Sequence, residues 1–301
     1  MIKAIQTGLC AFPLTPMVNN YPDLDAFANL VSRLDRPDVD SICVLGSTGS
    51  YPYLRLSERK ALARIAADHA GDTPLVVGVG ALSERDVLEL MEDAQKNGAQ
   101  ALLLAPVSYQ PLTHEEVFGL YARASANASV PICVYDNPGT THFTFSDELY
   151  ARIAALPQIG SIKIPGIHAN PVSAAQRISH LRRALPKPVA LGISGDASAA
   201  GGLVAGCDVW YSVIGGLFPD LAARIVKAAR AGDHERASAA SDELAPFWNL
   251  FNEHGGSIRV VAAAAELLGL CQESCLPAPI MALAGEDRLA LRGVLRQLKL
   301  L

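Results

Sequence analysis

A closed (β/α)8 TIM barrel of parallel strands, followed by a helical C-terminal extension, is the fold this sequence predicts. Three observations lead there. Short apolar runs rich in Val, Ile and Leu alternate eight times with longer amphipathic stretches, the pattern of βα units joined into one parallel sheet. The runs are mostly apolar throughout and do not alternate, as strands covered on both faces should be. The first run is followed by Pro13-Leu14-Thr15-Pro16, which cannot cradle a pyrophosphate as the first turn of a doubly wound dinucleotide-binding sheet does.

In chain order, strands are expected at 8–12, 41–45, 75–79, 101–104, 132–135, 161–164, 189–193 and 209–213. Helices are expected between them. The first, 24–34, follows an Asp cap at Asp23. The second, 57–69, begins Ser57-Glu58-Arg59-Lys60. The third, 83–96, opens on Ser83 and closes on Asn97-Gly98, a helix-ending pair. The fourth, 113–126, carries Thr113 with Glu116 three residues later, a capping box. Stretches 146–156, 171–185, 197–205 and 219–231 complete the eight units. After Ala231 the strand pattern stops. Helices are expected at 234–252, 257–268 and 286–298, set apart by Gly255-Gly256 and Pro277-Ala278-Pro279. Leu244, Phe247, Leu250 and Phe251 recur at helical spacing, so this tail presents an apolar stripe to the barrel. The expected division is a barrel over 1–231 and a three-helix extension over 232–301.

Composition narrows the function. Of 301 residues, 50% are hydrophobic and 18% charged, which supports a large core and argues against disorder. A net charge of −5 offers no basic footprint for nucleic acid or an acidic membrane. No apolar run reaches the ~18 residues that span a bilayer. The start, Met1-Ile2-Lys3-Ala4-Ile5-Gln6, has no signal-peptide pattern, and a cytoplasmic protein is expected. Cys43, Cys133 and Cys207 lie in or beside apolar runs, as buried thiols do. Cys271 and Cys275 are one helical turn apart, but no second ligand pair follows, and the seven histidines show no spaced pair. No metal and no cofactor are expected.

Of seven lysines, only Lys163 sits inside an apolar strand-like run, Ile159-Gly160-Ser161-Ile162-Lys163-Ile164-Pro165. Desolvation disfavours an ammonium ion, and a free amine is a nucleophile toward carbonyl carbon. A strand-end lysine that snorkels to water would read the same way. In a barrel, strand C-termini gather the site, and other polar groups fall there. The second strand ends in Gly46-Ser47-Thr48-Gly49-Ser50, whose hydroxyls and backbone N–H groups suit a carboxylate or phosphate, although an ordinary tight turn has the same composition. The fifth ends in Tyr135-Asp136-Asn137-Pro138-Gly139-Thr140, and its tyrosine suits proton transfer or simple packing. The seventh ends in Ser194-Gly195-Asp196 and the eighth in Tyr211-Ser212-Val213-Ile214-Gly215-Gly216. These form a phosphate site or a backbone wall for an uncharged or carboxylated substrate.

The ordered set Gly46-Ser47-Thr48-Gly49, Tyr135-Asp136-Asn137-Pro138, Ser161-Ile162-Lys163 and Ser194-Gly195-Asp196 resembles the dihydrodipicolinate synthase and N-acetylneuraminate lyase superfamily. The resemblance runs from Phe12-Pro13-Leu14-Thr15-Pro16 into the helical tail. It implies a class I aldolase-type lyase in which Lys163 forms a Schiff base with pyruvate or another 2-oxo acid. Ser47, Thr48 and Gly49 would hold the carboxylate, and Tyr135 would pass protons. Ser108, Tyr109, Thr140, Gly195, Asp196 and Tyr211 would line the substrate, and the assembly would be a homotetramer, a dimer of dimers.

The departures matter too. The synthases of this family place an arginine where Thr140 stands, a second threonine at Ser47, a glutamate at Ser50 and another after the lysine, where Ile164-Pro165 stands here. Their interface tyrosine aligns with Ser108, one position from Tyr109. The resemblance therefore implies an aldolase, hydratase-aldolase or dehydratase for another 2-oxo acid, with Asp136, Tyr109 and His142 as replacement acid/base candidates. Alternatives that keep the fold are an oxo-acid-binding or regulatory protein, a phosphate-binding barrel enzyme and a metal-dependent aldolase.

Overall fold

The computed structural model describes residues 5–167, 170–186 and 189–301. Eight parallel strands close into a barrel: β1 (Gly8–Ala11), β2 (Ser41–Val44), β3 (Leu75–Gly78), β4 (Ala101–Leu104), β5 (Ile132–Tyr135), β6 (Ile159–Ile164), β7 (Ala190–Ile193) and β8 (Val209–Ser212). Each strand pairs with the next in sequence, and β8 closes on β1. Buried strands sort their residues by parity. Leu9, Ala11, Val44, Val77, Leu104, Val134, Ile162 and Trp210 belong to the layer between sheet and helices. Cys10, Phe12, Cys43, Val76, Leu103, Cys133, Tyr135, Val209 and Tyr211 fill the interior. An apolar run thus serves two cores at once, which is why no alternation marks it in sequence.

Apart from one short helical turn, Pro138–Thr141, the α-helices between the strands are α1 (Leu24–Ser32), α2 (Leu56–His69), α3 (Glu84–Lys96), α4 (His114–Asn127), α5 (Asp147–Ala154), α6 (Pro171–Ala184), α7 (Ala199–Val204) and α8 (Pro219–Arg230). Their starts obey capping chemistry. Asp23, Ser83 and Ser146 accept from backbone N–H groups three residues on at 3.0–3.1 Å. The Thr113 and Glu116 pair closes the expected box, with Thr113 N–H donating to Glu116 at 2.7 Å. α3 buries Val87, Leu90, Met91 and Ala94, one helical stripe. α7 is shorter than expected because residues 196–198 form a separate 3₁₀ turn.

Two further features differ from the sequence expectation. A small antiparallel ribbon, Met17–Val18 against Tyr21–Pro22, follows β1. Its turn residues Asn19 and Asn20 both have positive φ, which asparagine tolerates. The tail has four helices where three are expected. The stretch 234–252 is broken into α9 (His234–Asp242) and α10 (Ala245–Glu253), followed by α11 (Ile258–Leu267) and α12 (Gly285–Gln297). Pro246 explains the break: it lacks an N–H, and its ring excludes the preceding turn of a continuous helix. Leu244, Phe247, Leu250 and Phe251 are buried, and Phe247 packs on Phe218 of the barrel with ring centroids 5.7 Å apart. Among the described residues no helix is long and apolar enough to cross a membrane.

Candidate active site

The C-terminal mouth of the barrel gathers its polar groups around Lys163. β6 places Ser161 and Lys163 inward and Ile162 and Ile164 outward. Lys163 is only 4% exposed. Its Nζ lies 3.9 Å from the centroid of the Phe12 ring, 4.3 Å from that of Tyr135 and 5.6 Å from that of Tyr211. No carboxylate or other hydrogen-bond acceptor among the described residues meets it. The β5–β6 register sets Tyr135 directly beside Lys163, so the two side chains enter the same mouth. The Tyr135 hydroxyl shares a hydrogen bond with Ser47 Oγ at 3.1 Å and accepts from Asn137 Nδ2 at 2.9 Å. Ser47 is half-buried and Thr48 buried, both on the turn that follows β2.

Below the lysine the barrel is closed. Tyr211 turns its ring face toward Lys163 and its hydroxyl away from it. That hydroxyl meets Ser161 Oγ at 2.7 Å and donates to the Ile5 carbonyl at 3.3 Å, while Cys133 Sγ donates to it at 3.2 Å. Gly192 makes room for this ring, since a Cβ there would stand 2.1 Å from Cε2 of Tyr211. Burial pushes the Tyr211 phenol and the Cys43 thiol far up, and the Cys133 thiol to about 12. These groups stay protonated at neutral pH and form a neutral floor.

Other expected site residues lie elsewhere. Asp136 follows Tyr135 in β5 parity, so its carboxylate points outward and accepts from the Tyr150 hydroxyl on α5. Burial raises its pKa to about 6, but it does not face Lys163. Asp196 is buried and its oxygens accept from Trp210 Nε1 at 3.0 Å, Val213 N–H at 3.1 Å and Ile214 N–H at 2.6 Å. Its carboxylate is therefore occupied in clamping the turn after β8. Gly195, at positive φ, is exposed beside it. Gly49 packs against Leu45. Thr140 is exposed and its hydroxyl donates to the Asn137 carbonyl at 3.3 Å. His142 is exposed. Ser108 donates to the Gln110 carbonyl, and Tyr109 is 90% exposed.

Two site components had little sequence signal. Phe12, the nearest ring to Lys163, reads in sequence as the last apolar residue of a strand. Asn137 reads as a turn residue. Phe12 reaches the lysine across the barrel interior, which exists only once the sheet has closed, and Asn137 reaches the Tyr135 hydroxyl two residues before it. Among the described residues no cluster of three His, Cys, Asp or Glu side chains has a metal-binding arrangement.

The sequence matches the model of the dihydrodipicolinate synthetase family over residues 6–298. It is 30% identical to the 4-hydroxy-tetrahydrodipicolinate synthase of Nitrosomonas europaea over 295 residues, 97% of this chain and 98% of that one. Among solved structures, the dihydrodipicolinate synthase of Agrobacterium tumefaciens superposes with a TM-score of 0.92 at 42% identity, covering 97% of this chain and 98% of that chain. The chloride-inhibited dihydrodipicolinate synthase of Acinetobacter baumannii, solved in complex with pyruvate, superposes with a TM-score of 0.87 at 25% identity, covering 99% of this chain and all of that one (100%).

Proposed function

Because the chain belongs to the dihydrodipicolinate synthetase family, we propose that it is a lyase forming a Schiff base between Lys163 and a 2-oxo acid of the pyruvate class. The observation that carries this reading is the lysine itself. Its amine is buried with no ion-pair contact among the described residues, beside a tyrosine whose hydroxyl is already hydrogen-bonded. In this reading the 2-oxo acid carboxylate docks on Ser47, Thr48 and the backbone N–H groups of their turn. The Lys163 amine adds to the ketone carbon, and loss of water leaves an imine. Tyr135 delivers the proton that turns the departing hydroxyl into water, with Ser47 and Asn137 holding the phenol in place. The rings of Phe12, Tyr135 and Tyr211 exclude water and present π faces to the protonated imine. Loss of a proton from the adjacent carbon then gives an enamine, which makes or breaks a C–C or C–O bond. The A. baumannii relative's complex with pyruvate supports the substrate class.

The reaction we infer is not dihydrodipicolinate synthesis. The turn Pro138–Thr141 carries no cation, so it offers nothing to a second carboxylate where the synthases place arginine. An aldolase or dehydratase acting on a differently substituted 2-oxo acid fits this mouth better. One observation favours a second reading, an oxo-acid-binding protein without turnover. Tyr109 is exposed and Ser108 bonds its own loop, so the relay from Tyr135 ends within this chain. A second copy is the natural cover for Tyr53, Leu82 and Tyr109, exposed on three successive βα loops, and we propose that such pairs assemble into a homotetramer; light scattering that gives a monomer or a dimer would contradict it.

Borohydride reduction in the presence of pyruvate tests the main reading. A stable mass adduct should form on Lys163 and vanish in Lys163→Ala. Deuterium uptake by the pyruvate methyl group separates the two readings, since only turnover through an enamine gives exchange. No adduct with pyruvate or with longer 2-oxo acids would end the Schiff-base proposal.

A further inference from the structure

The turn between β2 and α2 is strained, and a buried arginine packs on the residues that adjoin its two ends, Gly78 and Tyr51. Leu45 and Ser50, neither of them glycine, adopt φ of 58° and 55°. Non-glycine residues hold that left-handed conformation only where their surroundings impose it. Ser50 does not impose it on itself, because its buried Oγ has no hydrogen-bond partner. Between these two residues lie Gly46, Ser47, Thr48 and Gly49, and Ser47 Oγ meets the Tyr135 hydroxyl at 3.1 Å.

Arg59, on α2, is 3% exposed. Its Nη2 donates to the Gly78 carbonyl and its Nη1 to the Gly80 carbonyl, each at 2.9 Å. Gly78 in turn presses on the first end of the turn: a Cβ at Gly78 would stand 1.9 Å from the Leu45 carbonyl oxygen and 3.3 Å from Gly46 N. At the other end, the Arg59 guanidinium packs on the ring of Tyr51, 5.2 Å from its centroid. Tyr51 directly follows Ser50 and is itself buried. A buried guanidinium without an ion-pair partner among the described residues is costly to maintain. Burial draws its pKa down to about 10, which leaves it charged at neutral pH.

We propose that Arg59 is a positioning residue that holds the strained turn 45–50 from both ends, fixing Ser47 against Tyr135 and aiming the turn's N–H groups at the substrate carboxylate. The substrate half of this statement rests on the Schiff-base reading; the holding of the turn does not. The rigid guanidinium fork spans two carbonyls at once, which an ammonium on a flexible stem does not reproduce.

Two measurements on the full chain test it. One is hydrogen exchange at the Ser50 amide, which closes the turn by donating to the Ser47 carbonyl at 3.0 Å. The other is the pyruvate concentration that half-saturates borohydride trapping. In Arg59→Met, exchange should quicken about tenfold or more, and half-saturation should move up by about tenfold, since small misplacements of a binding group weaken its action steeply. Arg59→Lys should resemble Arg59→Met. Adding Ser50→Gly to Arg59→Met should restore half-saturation toward wild type, because glycine accepts positive φ without help. Unchanged exchange and half-saturation in Arg59→Met overturns the proposal. So does full function in Arg59→Lys, or a failure of Ser50→Gly to rescue. Where Arg59→Met does not fold, Tyr51→Leu releases the same turn from its other end, with the same expected and contrary outcomes. A wild-type protein that gives no adduct defeats the Schiff-base reading alone; the exchange measurement still decides the role of Arg59.

Discussion

Tyr135 and Asp136 are adjacent in sequence and do opposite work. Strand parity sends the tyrosine into the mouth and the aspartate out against α5. On the proposed mechanism Tyr135→Phe removes the proton that the departing hydroxyl needs and leaves the ring over Lys163, so the rate of borohydride trapping with pyruvate should fall by roughly 10²–10⁴ while its half-saturating concentration holds. A raised half-saturating concentration at an unchanged rate would mean that the hydroxyl serves binding. Asp136 makes a prediction about stability. Burial raises its pKa to about 6 in the folded chain, against about 3.9 unfolded. The folded state therefore keeps a proton that the unfolded state has lost between these values. The stability this proton contributes is complete below pH about 4, falls as pH rises through 6, and is absent above it. In urea unfolding from pH 4 to 8, Asp136→Asn should remove that decline and still accept from Tyr150. Parallel curves for the two proteins would refute the assignment.

At the scale of elements, the site depends on strands delivering rings to one point. Gly192 on β7 pairs with Lys163 in register and leaves space for Tyr211. Gly192→Ala should push that ring out from beneath the lysine, lower Tm by several degrees and weaken trapping, read together by calorimetry and mass spectrometry. A helix-scale change should act differently. Thr113→Ala removes a cap far from the lysine, which should cost about 1 kcal/mol of stability and leave trapping unchanged. The elements themselves are legible in the sequence wherever a local rule sets them. The Thr113–Glu116 box and the Ser83 cap both appear where spacing places them. The break at Pro246 was equally readable from proline chemistry, but the aromatic periodicity on either side of it reads as one helix. The Asn19-Asn20 ribbon is too short for any period to show. Arg59 carried a signal of its own, since it falls on the buried stripe of α2 with Leu62, Ala63 and Ala66. A charged residue in an apolar stripe is the mark of a buried role.

The whole molecule is held by one layer that the barrel helices and the tail share. Leu244, Phe247, Leu250, Phe251 and Val261 are buried with Phe218 and Leu217 in the same apolar cluster. At about 1.5–3 kcal/mol for each large side chain buried, the gross contribution of these tail residues, before the entropy of ordering them, is of the same order as a domain's usual margin of stability. We propose the boundary at 231/232 as a division of the sequence and not as a cut the fold tolerates. A chain ending at Ala231 should be insoluble or bind hydrophobic dyes, and a soluble, cooperatively melting 1–231 fragment would show the tail to be independent. Eight apolar runs, their spacing and one lysine among isoleucines determined the barrel, its strand order and the residue at its centre, because those features depend on local periodicity and burial. Tertiary structure alone decided which rings surround that amine, that Asp196 is spent on Trp210 and the turn after β8, and that Arg59 meets Tyr51 and the Gly78 and Gly80 carbonyls. Those facts depend on the distances between residues far apart in the chain, and such distances exist only once the sheet has closed.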